Sequence, residues 1–300
     1  MKKISSCLFV VIFFVSCNQK AEQNDTILKG KISILVDETI KPIVEDEVMV
    51  FESAYEAKVS LIAKSENEIM QSLSKNQSQV AVMPRKLSTE EQNYFLTKKI
   101  NPKVTPFAKD ALIFISNKRN SDTLINLQDV LNFMKGSAQT KIKGLVFDNP
   151  NSSTVRYMNN LASLKETPAK GIYSFKTNEE VIKYVAENDG MIGVVGVNWL
   201  QQPTSNIKDL RNKITILSVK ENNNSEYYYP SQNNIAEGKY ALARDLYIIN
   251  CQGYSGLGMG LSSFIAGERG QRIVLKSGLV PFNMPGRKIS IRKEIIKKTK

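Results

Sequence analysis

Apolar and polar positions along this chain fall into two alternating rhythms. Short apolar runs read as strands, and stretches with apolar residues three and four apart read as helices. The first half predicts a strand over Lys31–Val36, a helix over Lys41–Tyr55 and a strand over Lys58–Ala63. A helix over Glu66–Leu73, a strand over Gln79–Met83 and a helix over Ser88–Phe95 follow. After a longer apolar strand, Ala108–Ser116, the pattern restarts: helix 127–135, strand 142–147, helix 152–164, strand 171–175, helix 179–188 and strand 191–197. Residues 222–230 then form an irregular segment, before a strand over Tyr240–Asn250, a glycine-rich Gly253–Gly260 and a helix over Leu261–Arg272. Such alternation argues for parallel strands with helices on their faces. Two units with a connecting strand at each junction predict two lobes and a ligand cleft between them.

The N-terminus breaks this rhythm. Lys2 and Lys3 precede an apolar run from Leu8 to Val15, and Ser16-Cys17 closes it. That is the layout of a secretory leader with a lipoprotein cleavage site, too short to span a bilayer. It predicts a signal peptide over residues 1–16, acyl chains on Cys17 and a flexible polar tether over 17–29. The protein is therefore expected outside the cytoplasm, in the periplasm or at the cell surface, held to the membrane by its lipid.

Composition narrows the chemistry. The 300 residues contain no histidine, which removes histidine-dependent triads, histidine general bases and histidine zinc ligands. Of the three cysteines, Cys7 leaves with the leader and Cys17 is the lipid site, so Cys251 has no partner for a disulfide. No metal, no cofactor and no enzymatic activity are expected; acid or base chemistry by Asp37, Glu38 or Lys64 ranks last among the readings. The net charge is +12, and Arg287–Lys300 alone carries seven basic residues against Glu294. An extracytoplasmic address and a lack of interleaved aromatics argue against nucleic acid, so the basic tail, residues 291–300, reads as a solvated or membrane-surface feature.

Ligands of open α/β sheets bind where strands end and helices begin, because backbone N–H groups there lack partners. Four turns qualify: Asp37-Glu38-Thr39, Ala63-Lys64-Ser65, Pro84-Arg85-Lys86 and Asn149–Thr154. In the last, Asn-Pro-Asn leads into Ser152-Ser153-Thr154 at a helix mouth, an anion cradle that needs no cationic side chain. Ser152 also suits a plain N-cap, and Ser65 with Glu68 fits a capping box. Arg85 could fork onto two ligand oxygens or simply face solvent.

The ordered set Ser65, Arg85, Ala108–Asn117, Asn151-Ser-Ser-Thr154, Gly190–Gly196 and Tyr240–Tyr247 resembles the phosphate-binding proteins of phosphate ABC transporters, in lipoprotein form. The likeness runs from about Ile32 to Pro285. It implies an α/β, two-lobed periplasmic-binding-protein type 2 fold, with a mixed sheet flanked by helices in each lobe and two crossover strands. Lobe 1 is then expected over 30–110 plus 243–290 and lobe 2 over 111–242. It further implies a monomer that captures phosphate or a related oxyanion and passes it to an inner-membrane ABC permease. The ligand residues it implies are Thr39, Ser65, Arg85, Ser152, Ser153 and Thr154. Three positions depart from the family pattern: Asp37 and Glu38 stand in a loop that is usually small and uncharged, Pro84-Arg85 replaces an aspartate, and Asp148 replaces an arginine. The alternative is a binding-fold lipoprotein that senses or interacts at the surface without transport.

Overall fold

A computed structural model of the chain describes residues 25–137, 142–221 and 225–284. The leader, Cys17, most of the tether and the basic tail over 291–300 lie outside the described residues.

The first half builds β1 (Lys29–Asp37), a 3-10 turn (Glu38–Ile40), α1 (Lys41–Ala54), β2 (Glu56–Lys64) and α2 (Glu66–Ser74). It continues through β3 (Val80–Met83), α3 (Thr89–Thr97) and the long β4 (Lys103–Asn117). The second half contributes β5 (Leu124–Asn126), α4 (Leu127–Met134), β6 (Gly144–Phe147), α5 (Ser153–Ala162), β7 (Ile172–Ser174), α6 (Asn178–Glu187), β8 (Met191–Gly196) and α7 (Asn198–Gln201). Last come β9 (Ile214–Ile216), β10 (Ser218–Lys220), α8 (Gln232–Ala236), β11 (Ala243–Asn250), α9 (Leu257–Ala266), α10 (Glu268–Lys276) and β12 (Val280–Pro281).

The main sheet runs β2-β1-β3-β11-β4-β8-β6-β7, with β12 and β9 also pairing with β4. It is mixed rather than all parallel. β1 lies parallel to β2 and β3, and β6 lies parallel to β7 and β8, but β4 and β11 run against their neighbours. Residues 103–111 of β4 pair with β11 in one half, and residues 112–117 pair with β8 and β9 in the other, so this strand passes through both lobes. The two-lobed α/β architecture with helices flanking a mixed sheet is the one expected.

Burial explains why the first-half strands read as continuous apolar runs. In β1, Ile34 and Val36 enter the main core while Leu35 faces a second cluster. In β3, Val80 and Val82 alternate in the same way with Ala81 and Met83. Both faces of the sheet are thus covered, one by the main core and one by the α2–α3 side through Ile69, Leu73 and Phe95.

Three elements differ from expectation for local reasons. β4 begins at Lys103, five residues early, even though it contains Pro106. Pro106 stands opposite Tyr247, where the register shifts between Leu246 and Tyr247, and an irregular pair tolerates a residue with no N–H. The single helix expected over Leu261–Arg272 is two helices, α9 and α10, divided at Gly267. Gly270 lets them pack closely: a Cβ there would lie 2.4 Å from the Ile265 carbonyl oxygen. The strand expected from Tyr240 starts at Ala243, because the Tyr240 hydroxyl is drawn to the Leu112 carbonyl, 2.9 Å away.

Candidate functional site

The carboxyl ends of β1 and β6 face each other. β1 ends in Asp37, whose Oδ1 accepts the Thr39 N–H at 3.0 Å and starts the 3-10 turn. β6 ends in Phe147, and the following turn is set by Asn149, whose Oδ1 accepts the Asn151 N–H at 2.9 Å. Ser152 then caps α5 by accepting the Val155 N–H at 3.2 Å. Asp37, Thr39, Asp148, Ser152, Ser153 and Thr154 are all buried.

The Thr39 hydroxyl lies 3.3 Å from both the Ser153 and Thr154 hydroxyls. Four of the six residues expected at a ligand therefore meet, or nearly meet, at one place. Their protons go to carboxylates. Ser153 Oγ donates to Asp37 Oδ1 at 3.1 Å and Ser152 Oγ to Asp148 Oδ1 at 2.5 Å. Thr39 and Thr154 both reach Asp148 Oδ2, at 3.4 and 3.5 Å. Arg244, at the start of β11, donates from Nη1 to Ser153 Oγ at 3.1 Å and from Nε and Nη2 to Asp110 Oδ2 at 3.2 and 2.8 Å.

Further bonds join the β1 end to second-half elements. Asn178, at the start of α6, donates from Nδ2 to Glu38 Oε2 at 2.5 Å and to Asp148 Oδ2 at 3.3 Å. Trp199 of α7 donates from Nε1 to the Thr39 carbonyl at 2.9 Å. Gly196 lies so close that a Cβ would sit 2.7 Å from the same carbonyl oxygen. Along the neighbouring edge, Arg156 of α5 pairs with Glu66 of α2 at 2.6 Å, and Asn67 bonds Asn151. A pocket of about 380 Å³ opens beside this edge, lined by Asn67, Asn151, Ser152 and Arg156.

Crowding of acids in a dry place shifts their protonation. Burial raises Asp148 to about 7, with the Asp37 charge adding to the effect and hydrogen bonds from Ser152 and Thr39 opposing it. Burial also raises Glu38 to about 8, with Asp148 again adding. Asp37 is raised by burial and held back by the Arg244 charge.

The other two expected ligand residues lie apart from this cluster. Ser65 is buried, but its hydroxyl and N–H both go to Glu68 in the capping box of α2. Arg85 donates from Nε to Glu66 at 2.7 Å and from Nη1 and Nη2 to the two Glu91 oxygens at 2.7 and 2.8 Å. Sequence reasoning assigned no role to Arg244, Asp110, Asn178 or Glu66. The buried Asp110 and Arg244 do lie inside the strands expected over Ala108–Ser116 and Tyr240–Asn250, where a charge in an apolar run is the available signal. Among the described residues, no group of Cys, Asp or Glu is arranged to hold a metal ion, and no helix is long and apolar enough to cross a membrane.

Comparison with known proteins agrees with this architecture. Residues 21–269 match the family model described as "PBP superfamily domain". A curated relative, the phosphate-binding protein PstS of Borreliella burgdorferi, is 24% identical over 301 aligned residues, covering 93% of this chain and 99% of the relative. Two solved structures are similar in fold, each at 16% identity. One is a protein from Clostridium perfringens assigned as a phosphate ABC transporter substrate-binding protein, with bound phosphate (TM-score 0.70; 85% of this chain, 100% of that one). The other is an ABC-type phosphate transport receptor from Vibrio cholerae (TM-score 0.62; 84% and 100%).

Proposed function

We propose a function that starts from one fact: the chain belongs to the PBP superfamily. The reading is an extracytoplasmic solute-binding protein that captures phosphate or a related oxyanion between its lobes for an inner-membrane ABC permease. Residues 30–110 with 243–290 form lobe 1 in this reading, and 111–242 form lobe 2. The carrying observation is the α5 mouth, where Ser153 and Thr154 at a helix N-terminus meet Thr39 from the turn after β1, with Ser152 and the buried Arg244 beside them. Helix N-termini and hydroxyls suit an anion, and closure of two lobes around a ligand is how such folds capture it. The names of the Borreliella, Clostridium and Vibrio proteins support phosphate as the first ligand to try.

Thr39, Ser152, Ser153 and Thr154 contact the ligand in this reading. Ser65 orients α2, and Arg85 fixes α2 against α3 through Glu66 and Glu91. The test is the melting temperature of full-length protein, stripped of anions by unfolding and refolding, against phosphate, sulfate, molybdate and phosphate esters. A saturable rise with one of them is expected. No rise with any of them, from folded protein, overturns the reading.

The anchor is a separate part of the proposal: Cys17 carries acyl chains and holds the domain at the membrane as a monomer. Palmitate labelling of producing cells should mark the protein and be lost in Cys17→Ala; labelling that persists refutes it. One observation favours a second role, sensing or surface interaction without transport: side chains already bond directly across the place where a ligand would sit. Normal phosphate uptake in a deletion strain is expected under that role, and lost uptake under the first.

A further inference from the structure

The hydroxyls that make the α5 mouth fit for an oxyanion all reach carboxylates of the chain itself. Ser153 gives its proton to Asp37, and Ser152, Thr154 and Thr39 reach Asp148. Asp37 Oδ1 also takes the Thr39 N–H, the kind of backbone donor an oxyanion uses at a helical turn. Arg244 supplies positive charge from the side, touching Ser153 directly. The two acidic groups thus satisfy a hydroxyl and backbone donor set from within, while the Arg244 guanidinium bonds Asp110 and Ser153 beside them.

Ordinary capping does not account for this. A cap needs one acceptor at one helix end, whereas Asp37 reaches from the β1 end to a hydroxyl on α5, 116 residues away. Its second oxygen, Oδ2, is buried and receives no hydrogen bond among the described residues. A buried carboxylate oxygen left without a donor costs free energy unless surrounding positive charge holds the group in place. Arg244 is that charge.

Resting on the oxyanion reading above, we propose that Asp37, assisted by Asp148, is a built-in anion occupying the oxyanion seat, and that an external ligand binds by displacing the Asp37 carboxylate. Asp37 is then a specificity-determining residue. It sets a threshold that weakly held anions do not pass, and it links the end of β1 to the mouth of α5. Ser153 to Asp37, Asn178 to Glu38 and Trp199 to Thr39 join the two lobes across the same place. Release of Asp37 from Ser153 and the Thr39 N–H frees two donors at once for the incoming oxyanion.

The test removes the built-in anion and supplies it from outside. Full-length Asp37→Ala, refolded free of anions, should melt several degrees below wild type. Acetate or formate should restore that loss saturably while leaving wild type unmoved at matched ionic strength. Calorimetric titration of Asp37→Asn, which keeps the shape and the acceptor oxygen, should show phosphate binding about tenfold tighter than wild type, the scale of removing one unfavourable charge–charge contact. Restoration by carboxylates, with neither protein binding phosphate, sulfate, molybdate or a phosphate ester, supports the built-in anion and overturns the oxyanion reading. Equal phosphate binding by wild type and Asp37→Asn, with no restoration of Asp37→Ala, overturns the built-in anion and leaves the oxyanion reading standing. Should Asp37→Ala fail to fold, the titration decides: tighter binding by Asp37→Asn supports the proposal, and equal, weaker or absent binding overturns it.

Discussion

Two of the turns that qualify as anion sites by their residues lie at the ends of parallel strands, and the structure treats them in opposite ways. At the α5 mouth, uncharged hydroxyls gather from both halves of the chain around buried carboxylates and Arg244. At the β3–α3 turn, Arg85 is spent on Glu66 and Glu91, so the residue with the strongest attraction for an anion is fully engaged. The lesson concerns charge. A turn's position follows from its own sequence, but its net charge depends on side chains delivered by elements far along the chain.

The largest effect should come from Arg244, which serves the α5 mouth alone of the two turns. Arg244→Met leaves Asp110 buried and uncompensated, and urea unfolding should show a loss of about 3–5 kcal/mol. A loss near zero would mean that the buried charges are not coupled as the distances indicate.

The two turns should also answer to pH with opposite sign. Glu38 and Asp148 have raised folded pKa values, about 8 and about 7, so the unfolded chain releases their protons first. Their contribution is complete below about pH 4 and is lost as pH rises toward 8, by about 1.4 kcal/mol per pH unit for each group in that window. Glu91 moves the other way: burial raises it, but the Arg85 hydrogen bond and charge outweigh that and hold it low. Its contribution is present above the ordinary glutamate range and is lost on acidification. Melting curves of wild type and Arg85→Ala from about pH 2 to pH 9 separate the two. Removing Arg85 should flatten the acid limb only, and a change confined to the alkaline limb would contradict the assignment.

A smaller effect is expected at the contact between Gly196 and the Thr39 carbonyl. Gly196→Ala places a methyl group where there is no room, costing about 1–3 kcal/mol and pushing Trp199 off its partner. A shift in the emission of Trp199, the single tryptophan, reads the displacement directly. Unchanged emission would mean that the contact yields without opening.

The mildest comparison concerns binding itself. Ser153→Ala should weaken phosphate binding about tenfold, the scale of one hydrogen bond to a charged group. Arg85→Ala should leave it within about twofold, because substitutions at separate sites add independently. The reverse ranking would exchange the roles of the two turns.

Much of the fold was legible because its strands are bounded by turn residues and its helices carry their caps in sequence. Ser65, Ser88 and Ser152 each stand at the start of a helix, with Glu68 and Glu91 completing capping boxes for the first two. The elements not foreseen are short: β5, β9, β10, β12, α7 and α8 have two to five residues, too few to display a period. Pro106 hid the true start of β4, since a proline reads as a boundary until the irregular partner at Leu246/Tyr247 is known. At the site, the hydroxyl run from Ser152 to Thr154 was visible as a local motif. The Asp37–Ser153 and Glu38–Asn178 bonds were not, since they join residues more than a hundred positions apart and no local pattern encodes them.

The measurement closest to the central claim is calorimetric titration of phosphate into refolded, anion-free full-length protein, repeated with Ser153→Ala and Arg85→Ala. The account predicts saturable one-to-one binding that Ser153→Ala weakens and Arg85→Ala retains. Folded protein that takes up no oxyanion, or binding that survives Ser153→Ala and disappears with Arg85→Ala, would contradict it.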